Sequence, residues 1–492
     1  MFKYIESKNI TIFTLVLIFS IGLWIRLIDL KDPPLDFNPT RQLRSAIIAR
    51  GLYYERAENV DPTKRDIAID YKRNMERLEP PVLETIVSWI YLAVGKEILW
   101  VARILSSICW LVGAAALYDI GRRMTSPFPA LVGLLYFLFI PFSIRASRSF
   151  QPDPAVVMMV LLTAWSLYRW SYEPNWKWTL ISGLVGGLSG YIKPVGLLFS
   201  GGMLISLVLY KAFSESTGRG ARKISIFRDP KVWTIGGLMV VFVFVYYFLQ
   251  IGENSTGYLS SWTLISKWRD LLDPSFIIQW MLRIDDLLYL SVVAAGFIGM
   301  LIAKSQDCIL LLGLWLGYIL LGLIFPHHIV THDYYHLPLI GLVSLSIIPL
   351  IEAITEKIKS QKVIVHYVFL GVVLLFFGYN GWIGRSILVG QDYRDHPAFW
   401  QKIASVLPEG SKAIGLTQDY GFRLMYYGWR KIDLWSTGEG AENFTKISGD
   451  ADYFLITAKN QLDMELDQYL EDHFQIYANG VGYLIYDLNA EK

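Results

Sequence analysis

Four of the seven histidines in this chain fall within one short polar stretch, Pro326-His327-His328-Ile329-Val330-Thr331-His332-Asp333-Tyr334-Tyr335-His336. Apolar runs flank it, Ile309 to Phe325 before and Leu337 to Leu350 after. Ionisable groups at a membrane boundary are costly unless they line water or bind something. The stretch therefore points to chemistry at a membrane surface. His328, His332 and His336 would share one face of a helix, a spacing compatible with a divalent metal. Pro326 and Pro338 confine any such helix to the interval between them. Binding of phosphate or sugar suits this loop better than a metal does, and the sequence requires no cofactor.

Other polar turns carry the same kind of signal. In Arg145-Ala-Ser-Arg148-Ser-Phe-Gln-Pro152-Asp153-Pro154, one helix ends and another begins. Asp153 between two prolines suits a carboxylate stabilised by a helix N-terminus, or a general base, or a metal ligand. Lys193 before Pro194 sits at another helix end, where an ammonium can snorkel to water or anchor a phosphate. An earlier segment, Leu35 to Arg50, has Pro39 and Thr40 suited to a helix start. Ala46, Ile47 and Ile48 supply an apolar side there, and Arg41, Arg44 and Arg50 a basic one. This predicts an interfacial helix lying on the membrane, its arginines meeting headgroups or holding a phosphate. Glu79-Pro80-Pro81 then leads into Val82 to Val94, a helix start that sets the angle of re-entry.

These turns need a scaffold, and the composition specifies a membrane one. Hydrophobic residues make up 53% of the 492, with 17 Trp and 29 Tyr, which excludes an ordinary soluble globule. About eleven stretches approach the roughly 20 apolar residues of a spanning helix. They lie near 9–28, 98–120, 128–144, 154–171, 178–192, 195–211, 232–250, 288–304, 308–325, 337–352 and 363–384. The first lacks a small-residue cleavage site and reads as a retained anchor. Residues 1–384 form the predicted membrane domain, with 29–97 its first outer loop. Residues 385–492 are expected to be a small soluble α/β domain. Its elements would be a helix over Pro397–Leu407, strands at Ala413–Leu416 and Tyr453–Thr457, a helix over Leu462–His473 and a strand over Gly482–Tyr486. No glycine-rich nucleotide loop follows any strand, so a capping or acceptor-recognition module is the better reading.

Basic links at Arg122-Arg123, Lys211 to Lys231 and Lys357/Lys359/Lys362 share one side if eleven helices are counted. The positive-inside rule then puts the N-terminus in the cytoplasm and the C-terminal domain outside. The loop from Asp29 to Pro80 carries ten Lys and Arg but also ten Asp and Glu, so it is balanced rather than basic. Net charge is only +2, and nucleic acid is not an expected partner. Cys109 and Cys308 lie in apolar helices and read as small buried side chains. Asn254 and Asn443 fit the glycosylation sequon, a pattern common by chance.

Taken in order, these motifs resemble the GT-C class of glycosyltransferases, above all bacterial and archaeal relatives of protein O-mannosyltransferases and aminoarabinose transferases. The resemblance spans roughly residues 10–340. Arg44-Ser-Ala46-Ile-Ile-Ala49-Arg50 matches the family's Arg-x-Ala-x-x-Ala-Arg, and Glu79-Pro80-Pro81-Val82-Leu83 its Pro-Pro-Leu-like element. Arg148-x-x-x-Pro152-Asp153-Pro154 matches its second acidic motif. Lys193-Pro194 resembles its Lys-Gly or Lys-Pro turn, and His332-Asp333-Tyr334-Tyr335-x-Leu337-Pro338 its late polar loop. The chain departs from the family where an acidic pair is usual: Arg41 and Gln42 stand there.

The resemblance implies an all-α polytopic enzyme of the bacterial or archaeal cell membrane with a small C-terminal α/β domain. It would move a sugar from a polyprenyl-phosphate carrier to a lipid, glycan or protein acceptor at the non-cytoplasmic face, with inversion. A base would come from Asp36, Asp153 or Asp333. Arg41, Arg44, Arg148, Lys193, His332 and Tyr335 would hold substrate and phosphate. Two other classes stay open: a transporter or flippase of lipid-linked substrates, and a catalytically inactive lipid-binding relative. Transporters place polar groups at the midplane within repeats, whereas here they gather at helix ends on one side.

Overall fold

The computed structural model describes residues 7–214, 225–250, 262–435 and 441–491. The sequon at Asn254 lies outside them. The chain divides into two compact units. One comprises Met1–Leu30, Glu76–Val82 and Trp100–Gly390, and the other Lys31–Met75, Leu83–Leu99 and Gln391–Lys492.

The first unit is helical. Each of the eleven apolar stretches contains a helix, but length and apolarity single out seven that can cross a membrane. These are Lys8–Leu27, Trp100–Met124, Val195–Phe213, Pro230–Phe248, Ser305–Ile324, Asp333–Lys359 and Val363–Gly390. The pair Pro274–Leu288 and Leu290–Ile302, bent by 94°, makes an eighth if it is one broken span. Pro127–Phe139 and Trp176–Ile192 are shorter, at 13 and 17 residues. Asp153–Tyr172 is long enough but mixes Thr163, Ser166, Arg169 and Ser171 among its apolar residues. The chain is a multi-pass membrane protein.

Proline and acidic caps start many of these helices. Asp229 and Asp273 accept from the backbone N–H groups of Lys231 and Ser275, at 2.9 and 2.8 Å, and each is followed by a proline. That satisfies donors a helix start leaves open. The 94° bend is built in the same way. Asp285 accepts from Leu290 N at 2.9 Å, Tyr289 sits at φ 62°, and its hydroxyl donates to Asn380 Oδ1 at 2.7 Å. Helices in lipid associate by close packing rather than by escape from water. Where Val195–Ser214 meets Ser305–Ile324, a Cβ on Gly313 would stand 2.5 Å from Met203 Cα. Only glycine permits that approach.

The second unit is α/β. Strands β1 (Ala413–Leu416), β2 (Asp433–Leu434), β3 (Tyr453–Ile456), β4 (Phe474–Gly480) and β5 (Tyr483–Glu491) form one sheet in the order β2-β1-β3-β5-β4. Strands β2, β1 and β3 are parallel, while β5 runs antiparallel to both β3 and β4. Helices His396–Val406 and Met464–His473 match the expected ones closely. Ile414, Leu416, Phe454, Ile456, Leu466 and Leu470 pack with Trp435 and Phe444 in its core.

This division differs from the expected one, because residues 31–75 and 83–99 pack with the C-terminal segment. The reason is visible at Arg50. Its guanidinium lies 3.9 Å from the Tyr426 ring centroid and 4.1 Å from that of Trp429. Arg50 Nε bonds Glu97 at 3.0 and 3.2 Å, and Nη1 donates to Tyr426 O at 2.7 Å. Thr40 adds a bond to Asp419 Oδ1 at 2.9 Å. The helix Pro39–Arg56 is therefore no surface-lying amphipath: every residue from Gln42 to Tyr53 is buried. Arg50, on its basic side, is bound inside the unit, and this burial corrects the interfacial reading.

Candidate active site

Asp153 and Lys193 meet in the helical unit. Lys193 Nζ donates to Asp153 Oδ1 at 2.8 Å, and their side chains are only 7% and 6% exposed. Local sequence brings each to a helix end. Asp153 opens the helix Asp153–Tyr172, where the helix dipole favours a negative charge. Pro194 disfavours helical geometry for the residue before it, so Trp176–Ile192 stops and Lys193 extends at φ −156°, ψ 127°. A cation just past a helix C-terminus is favoured too. Both charges thus stand where backbone dipoles support them, before they support each other.

The polar loop covers this pair. Lys193 Nζ lies 4.8 Å from the ring centroids of both Tyr334 and Tyr335. Asp333, the neighbouring candidate base, pairs with Arg145 at 3.5 Å. The stretch is not one helix: Pro326–Thr331 ends at His332, and a short 3-10 turn takes over Asp333–His336. His328 and His332 remain stacked, 4.8 Å apart, and Tyr335 lies 5.1 Å from His328. His332 Nδ1 shares a hydrogen with Thr331 Oγ1 at 2.7 Å. His336 is turned elsewhere, between Tyr318 OH at 2.7 Å and Ile329 O at 2.8 Å. The three-histidine face expected for a metal does not form. Among the described residues no three His, Cys, Asp or Glu side chains gather as a metal-holding group.

Two arginines brace the turn that carries Asp153. Arg26, wholly buried in the first span, donates to Ser147 Oγ (2.7 Å), Gly22 O (2.7 Å), Leu138 O (3.0 Å) and Ser143 Oγ (3.2 Å). Arg148 reaches the opposite way, to the carbonyls of Ile28 and Asp29. These contacts occupy its Nη1 and Nη2 at the end of the first span. Arg283 Nε and Nη2 reach Val330 O at 3.3 Å, and Trp280 donates to Tyr318, fixing the polar loop from below. Sequence reading missed Arg26, Arg283 and Trp280, and gave Arg145 and Tyr334, though inside its motifs, no role of their own. An arginine inside an apolar run was the one available signal for Arg26.

Gln151, two residues before Asp153, is wholly buried, and neither its amide oxygen nor its amide nitrogen has a hydrogen-bond partner. Asp153 Oδ2 has none either. Leaving such a group unpaired costs about 1–3 kcal/mol.

Asp36, Arg41 and Arg44 belong to the α/β unit. Asp36 is half-buried and accepts from Gln42 Nε2 at 3.3 Å, while Gln42 also donates to Phe37 O at 2.7 Å. Arg41 is half-buried and Arg44 buried. Near them Ser45 donates to Glu84 at 2.7 Å. His396 in this unit lies 3.3 Å from Arg423 Nη1, and burial together with that cation holds its pKa below the usual 6.5.

A helical membrane unit with polar groups at its helix ends, joined to a small α/β unit, is the GT-C arrangement. The comparisons agree with it. The family model described as dolichyl-phosphate-mannose-protein mannosyltransferase matches residues 79–248. Nothing among curated proteins matches the chain. ArnT from Cupriavidus metallidurans, solved bound to undecaprenyl phosphate, is 13% identical with a TM-score of 0.59, over 96% of this chain and 97% of that one. The Archaeoglobus fulgidus oligosaccharyltransferase, in its apo form, is 9% identical with a TM-score of 0.56, over 96% and 73%. The arabinofuranosyltransferase AftD from Mycobacteria is 14% identical at 0.51, over 96% and 40%. At these identities the likeness is one of fold, and it bears out the GT-C resemblance read from the motifs.

Proposed function

We propose that the chain is a glycosyltransferase that moves a sugar from a polyprenyl-phosphate carrier to an acceptor at the non-cytoplasmic membrane face. The observation that carries this reading is the buried Lys193–Asp153 pair, roofed by Tyr334 and Tyr335. ArnT has been solved with undecaprenyl phosphate and the archaeal oligosaccharyltransferase with dolichol-phosphate. A carrier of that chemistry suits a buried ammonium whose one carboxylate partner a phosphate can replace.

The chemistry follows from the pairing. The carrier's phosphate competes with Asp153 for the Lys193 ammonium. Taking it stabilises the leaving group and releases the carboxylate. Asp153 then accepts the proton of the acceptor hydroxyl as its oxygen attacks the anomeric carbon. The bond from that carbon to the phosphate oxygen breaks on the opposite side, its electron pair leaving with the phosphate, so the anomeric centre inverts. Asp333, held by Arg145, positions the tyrosine-bearing loop in this scheme, and His332 and Tyr335 line the approach to Lys193.

The test is thermal stabilisation of the detergent-purified protein by undecaprenyl phosphate, since a ligand of the folded state raises stability with concentration. A rise in the parent that is absent from Lys193→Ala supports the reading. A parent with no rise at any usable concentration rejects it and favours a transporter. Asp153→Asn separates enzyme from inactive relative: an enzyme retains carrier binding there and loses transfer.

A further inference from the structure

We propose that Gln151, together with Asp153 Oδ2, forms a subsite for the hydroxyl groups of a sugar rather than for the phosphate. This rests on the glycosyltransferase reading above. Its starting point is an amide closed off from solvent with both ends open: neither Gln151 Nε2 nor Oε1 has a partner. Folded proteins pair nearly all such groups, so an exception calls for a reason.

The hydroxyls and the Arg148 Nη atoms of the same bend are paired, although Arg148 Nε is not. Ser149 Oγ donates to Ala146 O at 2.7 Å, and Ser106 Oγ to Ser149 O at 2.8 Å. Ser147 receives Arg26, and Arg148 reaches the carbonyls of Ile28 and Asp29. Gln151 is the one amide of this bend with both its donor and its acceptor unmet.

The two open ends decide the ligand's chemistry. A phosphate oxygen only accepts, so it would satisfy Nε2 and leave Oε1 open. An ammonium only donates and would do the reverse. A hydroxyl does both, and two adjacent hydroxyls serve one end each. The chain holds the Cα atoms of Gln151 and Asp153 within about 7 Å. Asp153 Oδ2 is a second buried acceptor with no partner in this turn, and we assign it to accept a hydrogen bond from a hydroxyl of the same sugar. Lys193 holds the other oxygen when no carrier is bound; once the phosphate has taken Lys193, the hydroxyls fall to Gln151 and Oδ2. Because the bend is closed in the free protein, a sugar enters by opening it. The sugar could be the donor's or the acceptor's, and the test separates them.

Gln151→Met keeps length and volume but removes both polar atoms. Thermal stability is read for parent and variant in detergent, free, with undecaprenyl phosphate, with that carrier linked to mannose or arabinofuranose, and with methyl mannoside or methyl arabinofuranoside beside the bare carrier. The variant is expected to be at least as stable as the parent when free, and to keep the full bare-carrier shift. The extra shift from a sugar should vanish in it. Loss confined to the carrier-linked sugars assigns the subsite to the donor, and loss confined to the methyl glycosides assigns it to the acceptor. The proposal is overturned if the extra shift survives Gln151→Met, if no sugar adds to the bare-carrier shift, or if the free variant is markedly less stable. Should Gln151→Met not fold, Gln151→Glu, which keeps acceptors and loses the donor, must lose the same increment. Failure of the bare-carrier shift in the parent speaks against the Lys193–Asp153 reading alone, because the methyl glycosides can still be scored without carrier.

Discussion

Removing one charge from the Lys193–Asp153 pair should do more harm than removing both. Lys193→Met leaves the Asp153 carboxylate, 6% exposed, without its cation. Breaking a buried pair in this way costs about 3–5 kcal/mol, a fifth or more of a typical domain's stability of roughly 5–15 kcal/mol. Asp153→Leu strands Lys193, and although Tyr334 and Tyr335 hold its ammonium at 4.8 Å, that contact offsets only about 1–2 kcal/mol. In Lys193→Met/Asp153→Leu nothing charged remains, and hydrophobic replacement of a buried pair ranges from neutral to stabilising by about 1–4 kcal/mol. The cycle should therefore show a coupling of about 3 kcal/mol or more, at or above the top of the range for neighbouring residues. Denaturation of the four proteins in one detergent measures it, with undecaprenyl-phosphate binding followed in parallel. The double variant should be well folded and unable to bind the carrier. Single variants costing less than about 1 kcal/mol, or costs that simply add, would mean that water already screens the pair. A stable double variant that still bound carrier would refute the role given to the charges.

Other expectations are equally open to measurement. Arg50→Ala removes two ring contacts worth about 0.5–2 kcal/mol each and the bond to Glu97, so limited proteolysis should cut the C-terminal segment sooner. Arg50→Lys should recover only part of that protection, because an ammonium lacks the planar fork. Gly313→Leu forces apart two helices so close that any Cβ there stands 2.5 Å from Met203 Cα. That overpacking costs about 1–3 kcal/mol or more and should lower the melting temperature. His396 titrates below 6.5 in the folded state, through burial and then Arg423. The unfolded chain thus binds more protons as pH falls below about 6.5, and stability should be lost as pH drops through the folded pKa. His396→Gln should flatten that dependence in a pH series of denaturation curves.

What the sequence disclosed divides along the range of the interactions. Helix ends are local events, so Pro152-Asp153-Pro154 and Lys193-Pro194 marked both charges of the site without any knowledge of packing. Their pairing spans forty residues of chain and depends on how three helices meet, which no spacing rule encodes. The histidine periodicity misled for a related reason. A four-residue repeat implies one face only while the helix continues, and here the helix stops at Thr331 and tightens into a 3-10 turn. His336 consequently swings to Tyr318. Strands β1 and β3 were legible because parallel strands buried on both faces read as unbroken apolar runs. Strand β4 was not, since an edge strand such as Phe474–Gly480 shows several exposed residues and little alternation.

Arg50 marks the limit of reading a helix by itself. On the segment Pro39–Arg56 it continues a basic stripe, and a basic stripe opposite apolar residues ordinarily faces water or headgroups. Its partners come from Glu97 and from Tyr426 and Trp429, so the stripe is invisible as a buried feature until those segments are in place. A clue did exist in Tyr426-Tyr427-Gly428-Trp429. Aromatic residues clustered beside a glycine make a platform that a guanidinium can stack on. The pairing of that platform with Arg50 is fixed by the fold, which brings arginine and rings within 3.9 and 4.1 Å.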